Sequence, residues 1–418
     1  MKITGIITEY NPFHYGHLYH LKKAREITSA EGIVCVLNGN FMQRGEPACT
    51  DKWSRTRMAL HNGVDLIIEL PVIYGIRSAE YFAAGAVKTL AATGVVSHLV
   101  FGSETGKIAP LQQAAKIFNQ EPKKFRKSLQ QELKKGSSFP VAREKAFFAY
   151  LNKKPQNNTL LQKTVSEPNN ILGIEYIKAI KKYNLPLKPI TIKRTHNNYH
   201  TQNAVHKLAS ATAIRKQLRK NINTVSEYVP QKTHQQLKSD LQQGKIPLQK
   251  EKLATILLAK LRYTTPQELT KFAEINDGLA NRIIKGAQTA GNLKQLISKI
   301  STRAYTKTRI KRNLLHILLG IKKKSFQALD PRGITYLRVL GFNHRGEKIL
   351  SQISQNTTRP IITQPANYLK SIEKNSRSPL KKQLSYDLLA TDIYSLLFKK
   401  PELRQASRDF TEKIVKID

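Results

Sequence analysis

The sequence predicts the α/β class: a Rossmann-like domain with a parallel sheet, followed by a mainly helical, basic C-terminal region. Three observations lead there. Strand-like and helix-like segments alternate through the first hundred residues. The strand-like segments are apolar almost throughout, the pattern of strands covered on both faces by right-handed crossovers. Beyond about residue 225, apolar positions recur almost only at helical spacing.

The elements follow in order. KITGIIT is a β-rich run, and GHLYHLKKAREITSA then carries Leu18, Leu21, Ala24 and Ile27 at helical spacing. GIVCVLNG is a second strand. DKWSRTRMALHNG is a helix closing on Gly63, where a residue without Cβ suits a C-cap. VDLIIELP is a third strand, halted by Pro71; SAEYFAAGAVKTLAATG is a helix ending at Gly94; VSHLVFGSE is a fourth strand. Residues 107–160 are helical and basic, as in EPKKFRKSLQQELKKG, and read as an insertion or lid. The α/β texture returns with PNNILGIEYIKAIKKYN (helix), LPLKPITIKR (strand) and SATAIRKQLRK (helix). The expected division is therefore 1–222, the α/β domain with its insertion, and 223–418, a mainly helical region in which KLATILLAKLRY, IKRNLLHILLGIKKK and SYDLLATDIYSLLF are helices.

Composition narrows the function. At 418 residues with 40% hydrophobic content the chain is globular and too long for one ordinary core. No apolar run approaches the roughly 18 to 20 residues of a membrane span, and the N-terminus does not read as a signal peptide. Cys35 and Cys49 stand outside any Cys/His cluster and are expected to be buried thiols in a reducing, cytoplasmic compartment. Seventy Lys and Arg against 29 Asp and Glu give a net charge of +41, which attracts polyanions, nucleic acid first among them. A Lys-rich compositional bias accounts for part of that, but not for the scarcity of acidic residues.

Ligands of an open α/β sheet sit beyond the carboxyl ends of its strands. TEYNPFHYGH lies there, between the first strand and the first helix. Pro12 shapes the loop, and Gly16 removes a side chain where backbone approaches something closely. The helix N-terminus is expected to offer free N–H groups to an anion. His14 and His17 add donors that follow charge developing on a phosphate without becoming acids or bases. The competing readings are a metal pair, for which Glu9 is the only carboxylate close in sequence, and two incidental cap histidines.

H-x-G-H directly after a first strand resembles the nucleotidyltransferase superfamily, whose members bind ATP and attack its α-phosphate. A second superfamily signature, S-x-T-x-x-R at a helix start, grips the β- and γ-phosphates. LASATAIRKQL offers Ser210, Thr212 and Arg215 for it. Ser210 can cap the helix, and Arg215 can supply a bidentate charge; taken alone, the pair would be an ordinary N-cap and a surface Arg.

The wider wording is more specific. GIITEYNPFHYGHLYHL, NGNFMQRGEPACTDKWSRTRMAL, GVDLIIELP, SAEYFAAGAV, VFGSE, PNNILGIEYIKAI and RVLGF together resemble the bacterial tRNA(Met) cytidine acetate ligase family over essentially the whole chain. The resemblance implies a nucleotidyltransferase fold and ATP-dependent acetylation of the wobble cytidine N4 in elongator tRNA(Met), through acetyl-adenylate. It implies an ATP site of Ile7, Thr8, Glu9, Tyr10, Asn11, Pro12, Phe13, His14, Tyr15, Gly16, His17, Leu18, Tyr19 and His20, with Gly102, Asn169 or Asn170, and Arg194. Ser210 and Thr212 complete it; His14, His17 and Arg215 are the expected catalytic groups. Without the family, Gly102 could equally be a simple turn and Asn170 a plain N-cap. ATP is the co-substrate, Mg²⁺ is expected with it, and no protein metal site is assigned.

A wobble base must be splayed from its loop to enter such a pocket, so a phosphate-tracking surface should extend from it. Two stretches qualify: STRAYTKTRIKRNLLHILLGIKKK, with Tyr305 for stacking, and the segment of Lys123, Lys124, Arg126 and Lys127. Each could instead be a solvated helix face. Two rival functions fit the same motifs: an adenylyltransferase for a small phosphorylated cofactor precursor, and a non-catalytic RNA-binding protein on a nucleotidyltransferase fold.

Overall fold

A computed structural model describes residues 1–152, 159–194, 199–201, 204–206, 209–247, 250–371 and 378–418. Four apolar runs form the strands β1 (Ile3–Thr8), β2 (Gly32–Asn38), β3 (Leu66–Leu70) and β4 (Val96–Ser103), and β5 (Lys188–Lys193) follows. The order β3-β2-β1-β4-β5 is parallel throughout. Strand β2 shows why the runs are apolar on both faces. Ile33, Cys35 and Leu37 enter one core, while Val34 and Val36 enter the other, across the sheet. Both cysteines are buried and free, as expected.

The helices Tyr15–Thr28, Lys52–His61 and Ala79–Ala91 fall where periodicity placed them. Gly63 and Gly94 follow their helices with φ of 101° and 71°. The basic segment forms helices Ile108–Gln120, Lys123–Lys134 and Phe139–Leu151, joined by Phe118 against Phe125 and Phe147, each with centroids 5.6 Å apart; residues 153–158, its expected end, lie outside the described residues. Lys123, Lys124, Arg126 and Lys127 are all exposed, opposite buried Phe125 and Leu129. Two short strands, β6 (Tyr199–Thr201) and β7 (Ala204–His206), pair antiparallel before helix Ala211–Leu218.

The C-terminal region is mainly helical, but it also contains strands that the helical reading omitted. Strand β8 (Leu337–Phe342) joins β3 antiparallel, and β9 (Ile361–Ile362) and β10 (Val415–Lys416) pair with β8. Residues beyond 223 therefore extend the sheet that residues 1–222 begin. The junction is sealed by charge. Lys52, wholly buried, donates to Glu69 at 2.9 Å and to Asp409 at 2.8 Å, and Arg338 reaches Asp409 at 3.4 Å. No described helix is long and apolar enough to cross a membrane.

Candidate active site

The carboxyl ends of β1, β4 and β5, with the loop after β2, enclose a cleft of about 370 Å³. Of the residues expected from the sequence, Ile7, Thr8, Glu9, His14, Gly16, His17, Tyr19, His20, Gly102, Asn169 and Arg194 line it.

His14 is the N-cap of helix Tyr15–Thr28, and its Nδ1 accepts the Gly16 N–H at 3.1 Å. His17 returns the favour: its Nδ1 accepts the His14 N–H at 3.3 Å, closing a capping box made of imidazoles. The rings stack with centroids 3.7 Å apart. Gly16 serves this arrangement, since a Cβ there would lie 2.9 Å from His14 Cε1. In a neutral imidazole whose Nδ1 accepts, the proton sits on Nε2. Each ring therefore keeps one N–H donor for a ligand.

The surroundings hold all three histidines neutral. Burial, then the charges of Arg194 and Arg215, push His14 down to about 3. Burial and His14, Arg194 and His20 together take His17 well below its ordinary value. Burial and Arg194 bring His20 to about 4.

The free N–H groups expected at this helix start are already taken. Tyr15 donates to Tyr228 O at 3.2 Å, Gly16 to the His14 ring, and His17 and Leu18 to His14 O at 2.8 and 3.1 Å. Donors for a phosphate come from side chains here, because the tight cap consumes the backbone.

Tyr10, Asn11, Pro12 and Phe13 are buried beneath the cleft. Tyr10, at φ 42°, packs on Phe13 (4.7 Å) and His17 (4.9 Å), and Asn11 Oδ1 accepts the Cys49 N–H at 2.7 Å. Tyr15 and Leu18 are partly buried and flank the cleft rather than line it. Below them the buried Arg55 guanidinium donates to the carbonyls of Glu9 and Asn38, at 2.8 and 2.9 Å, and to Gly39 O. One side chain thus ties the ends of β1 and β2.

The two asparagines separate. Asn169 lines the cleft, with Nδ2 donating to Glu104 at 2.6 Å. Asn170 is wholly buried. Its Oδ1 accepts the Glu104 and Thr105 N–H groups at 2.9 and 3.2 Å, and its Nδ2 donates to Lys163 O at 2.8 Å. Both polar ends of Asn170 are spent inside the protein, and of the two alternatives it is Asn169 that lines the cleft. Gly102 lies within β4, paired with Ile192, and is not a turn. A Cβ there would meet Arg194 Cγ at 3.1 Å, so the glycine makes way for that chain.

The second motif stands beside the cleft. Ser210 caps helix Ala211–Leu218, its Oγ accepting the Ala213 N–H at 3.2 Å. Arg215 donates to Asn11 O at 2.8 Å and to Thr212 Oγ1 at 3.2 Å. Motifs two hundred positions apart are thereby joined, although Ser210, Thr212 and Arg215 are not among the lining residues. Lining residues that sequence reasoning assigned no role include Gln43, Arg44, Phe82, Phe101 and Tyr176. The available signal for Gln43 and Arg44 was their position just after the second strand. Tyr305, offered for base stacking, is partly buried, with Arg309 over its ring at 5.0 Å and its hydroxyl donating to Asn276 at 3.2 Å.

Comparison with known proteins gives a consistent picture. The family model described as HIGH Nucleotidyl Transferase matches residues 1–409. A tRNA(Met) cytidine acetate ligase of Halothermothrix orenii is 48% identical over 420 residues, covering 100% of both chains. One of Acetivibrio thermocellus is 40% identical, covering 99% of this chain and 100% of its own. The crystal structure of Thermotoga maritima TmcAL bound with alpha-thio ATP superposes with a TM-score of 0.91 at 35% identity, each chain covered completely.

Proposed function

Because the chain belongs to the HIGH nucleotidyl transferase family, and within it to the tRNA(Met) cytidine acetate ligases, we propose that its cleft activates acetate with ATP and delivers the acetyl group to the wobble cytidine N4 of elongator tRNA(Met). It is an ATP-dependent ligase acting on tRNA. Its place is the cytoplasm, where ATP, acetate and tRNA are all found.

The N4 amine of cytosine is a poor nucleophile because its lone pair is delocalised into the ring, so the acyl group must be activated first. An acetate oxygen attacks the α-phosphorus of ATP, the bond to the β-phosphate oxygen breaks, and pyrophosphate leaves. The amine then attacks the acetyl carbon of acetyl-adenylate, the C–O bond breaks, AMP departs with the electron pair, and the amine's proton passes to solvent.

The paired neutral imidazoles carry this reading. With both Nδ1 atoms held by backbone, His14 and His17 present Nε2–H donors to the pentacovalent phosphorus centre, stabilising charge without proton transfer. Arg194, Gly102 and Asn169 hold the nucleoside side of the cleft, and Ser210, Thr212 and Arg215 receive the departing pyrophosphate. Glu9 is the carboxylate among the described lining residues, and only its Oε1 accepts from Gln43 and Asn38. Glu9 would hold Mg²⁺ carried in on the triphosphate, and the ion would supply neutralisation of phosphate charge.

The deciding experiment follows pyrophosphate release from ATP and acetate, with and without total tRNA, and then nucleoside mass analysis of that tRNA. Acetate-dependent pyrophosphate together with N4-acetylcytidine is the expected result. ATP turnover without acetate dependence and without modified tRNA sinks the reading in favour of a small phosphorylated acceptor.

A further inference from the structure

A second cavity, of about 320 Å³, lies behind the loop that walls the cleft. Gln43 and Arg44 of that loop face the cleft, whereas Gly45 to Cys49 face the cavity. Arg215 also lines it while its guanidinium holds the Asn11 carbonyl under the catalytic histidines. One loop and one arginine are thus shared between the two spaces.

The cavity has an apolar floor and a cationic rim. Leu218, Leu253, Ile297 and Leu397 supply the floor. Arg219, Lys294 and Lys307 are exposed at the rim, and among the described residues none of them has an acidic partner, unlike Lys311, which pairs with Glu46. An aliphatic floor buries the apolar face of a base, and unpaired cations suit phosphates on either side of it. A net charge of +41 draws in the phosphates of an RNA loop, and proteins that read one base of a loop commonly splay its neighbours as well.

We propose that this cavity receives one unstacked nucleobase of the RNA substrate, adjacent in the chain to the cytidine that enters the cleft, with the rim cations on the flanking phosphates. The inference rests on the reading of the protein as a tRNA ligase.

The test uses the full chain and a synthetic anticodon stem–loop of tRNA(Met), intact or made abasic at either nucleotide next to the target. Ser298→Trp fills the cavity from its rim. One abasic RNA should bind the wild type about tenfold more weakly, as for the loss of one base buried on an aliphatic surface. Ser298→Trp should weaken the intact RNA equally, and combining the two changes should cost no more than either alone. Arg219→Glu should weaken binding and flatten its salt dependence. Acetate-dependent ATP–pyrophosphate exchange, which needs no RNA, should stay at the wild-type level in both variants and so report an intact fold. If Ser298→Trp binds intact RNA as tightly as wild type, or its loss adds to that of the abasic site, the proposal is overturned. A wild-type protein that binds no stem–loop at all refutes the tRNA-ligase reading itself, and this inference with it.

Discussion

His14 and His17 stack with ring centroids 3.7 Å apart, and neither can be the other's proton partner because each spends Nδ1 on a backbone N–H. The pair is a donor array built from a helix cap. His17→Ala should therefore lower kcat for acetate-dependent pyrophosphate release by about 10²–10³-fold, the usual cost of one transition-state donor, while ATP binding changes little. A rate within a few-fold of wild type would remove His17 from the mechanism.

Gly16→Ala tests the placement of the array rather than its chemistry. The new Cβ would meet His14 Cε1 at 2.9 Å and Nδ1 at 3.0 Å, so the ring must turn or shift. Overpacking of this kind costs about 1–3 kcal/mol, and we expect it to appear as reduced kcat with an unchanged circular dichroism spectrum. A fully active Gly16→Ala enzyme would show that the ring's position does not matter.

Acid should weaken the fold through the same histidines. An unfolded histidine titrates near 6.5, at about the model-peptide value, whereas folded His14, His20 and the distant buried His316 titrate at about 3, about 4 and about 3. Above pH 6.5 both states are neutral and stability is complete. Below it the unfolded chain binds protons that the folded chain refuses, so stability falls by up to about 1.4 kcal/mol per pH unit for each such group. The loss continues until the folded rings protonate near pH 4 and then 3. Urea midpoints should hold between pH 7.5 and 6.5 and then fall steadily to pH 5, and a flat profile would contradict neutral folded imidazoles.

The two adjacent asparagines should respond differently. Asn170→Ala removes the acceptor of the half-buried Glu104 and Thr105 N–H groups and should cost about 1–3 kcal/mol of stability. Asn169→Ala, at the cleft, should leave the melting temperature close to wild type and raise KM for ATP. Thermal melts and ATP titrations on the same two variants separate the roles, and the reverse pattern would interchange them.

Lys52→Met should be severe although it lies outside the cleft. It leaves Glu69 buried without its cation and Asp409 with Arg338 alone, at 3.4 Å, a defect worth about 3–5 kcal/mol. Chemical denaturation would read this as a lower midpoint with an unchanged slope. A neutral result would mean that the C-terminal segment is held by its apolar contacts alone.

Much of the fold was legible because its signals are local. Strands β1 to β4 and their helices declare themselves within a few residues, through apolar runs and turns of 3.6-residue spacing. Strand β8 did not, since Leu337–Phe342 is a short run among helices whose partner, β3, lies some 270 positions earlier. No window of sequence contains that pairing. Gln43 and Arg44 were equally silent: position after a strand suggests a cleft, but only the packed loop shows which side chains face it.

By itself the sequence determined the α/β alternation, the H-x-G-H loop at the end of β1, the Ser210–Arg215 motif and the excess of positive charge. Tertiary structure alone decided that Asn169 rather than Asn170 meets the cleft, because one step along a helix turns a side chain by about 100°. It also decided that the histidines stay neutral and that Lys52 is tolerable in the core. Ionisation and solvation depend on what other parts of the chain bring to cover a group, and that is a property of the packed molecule.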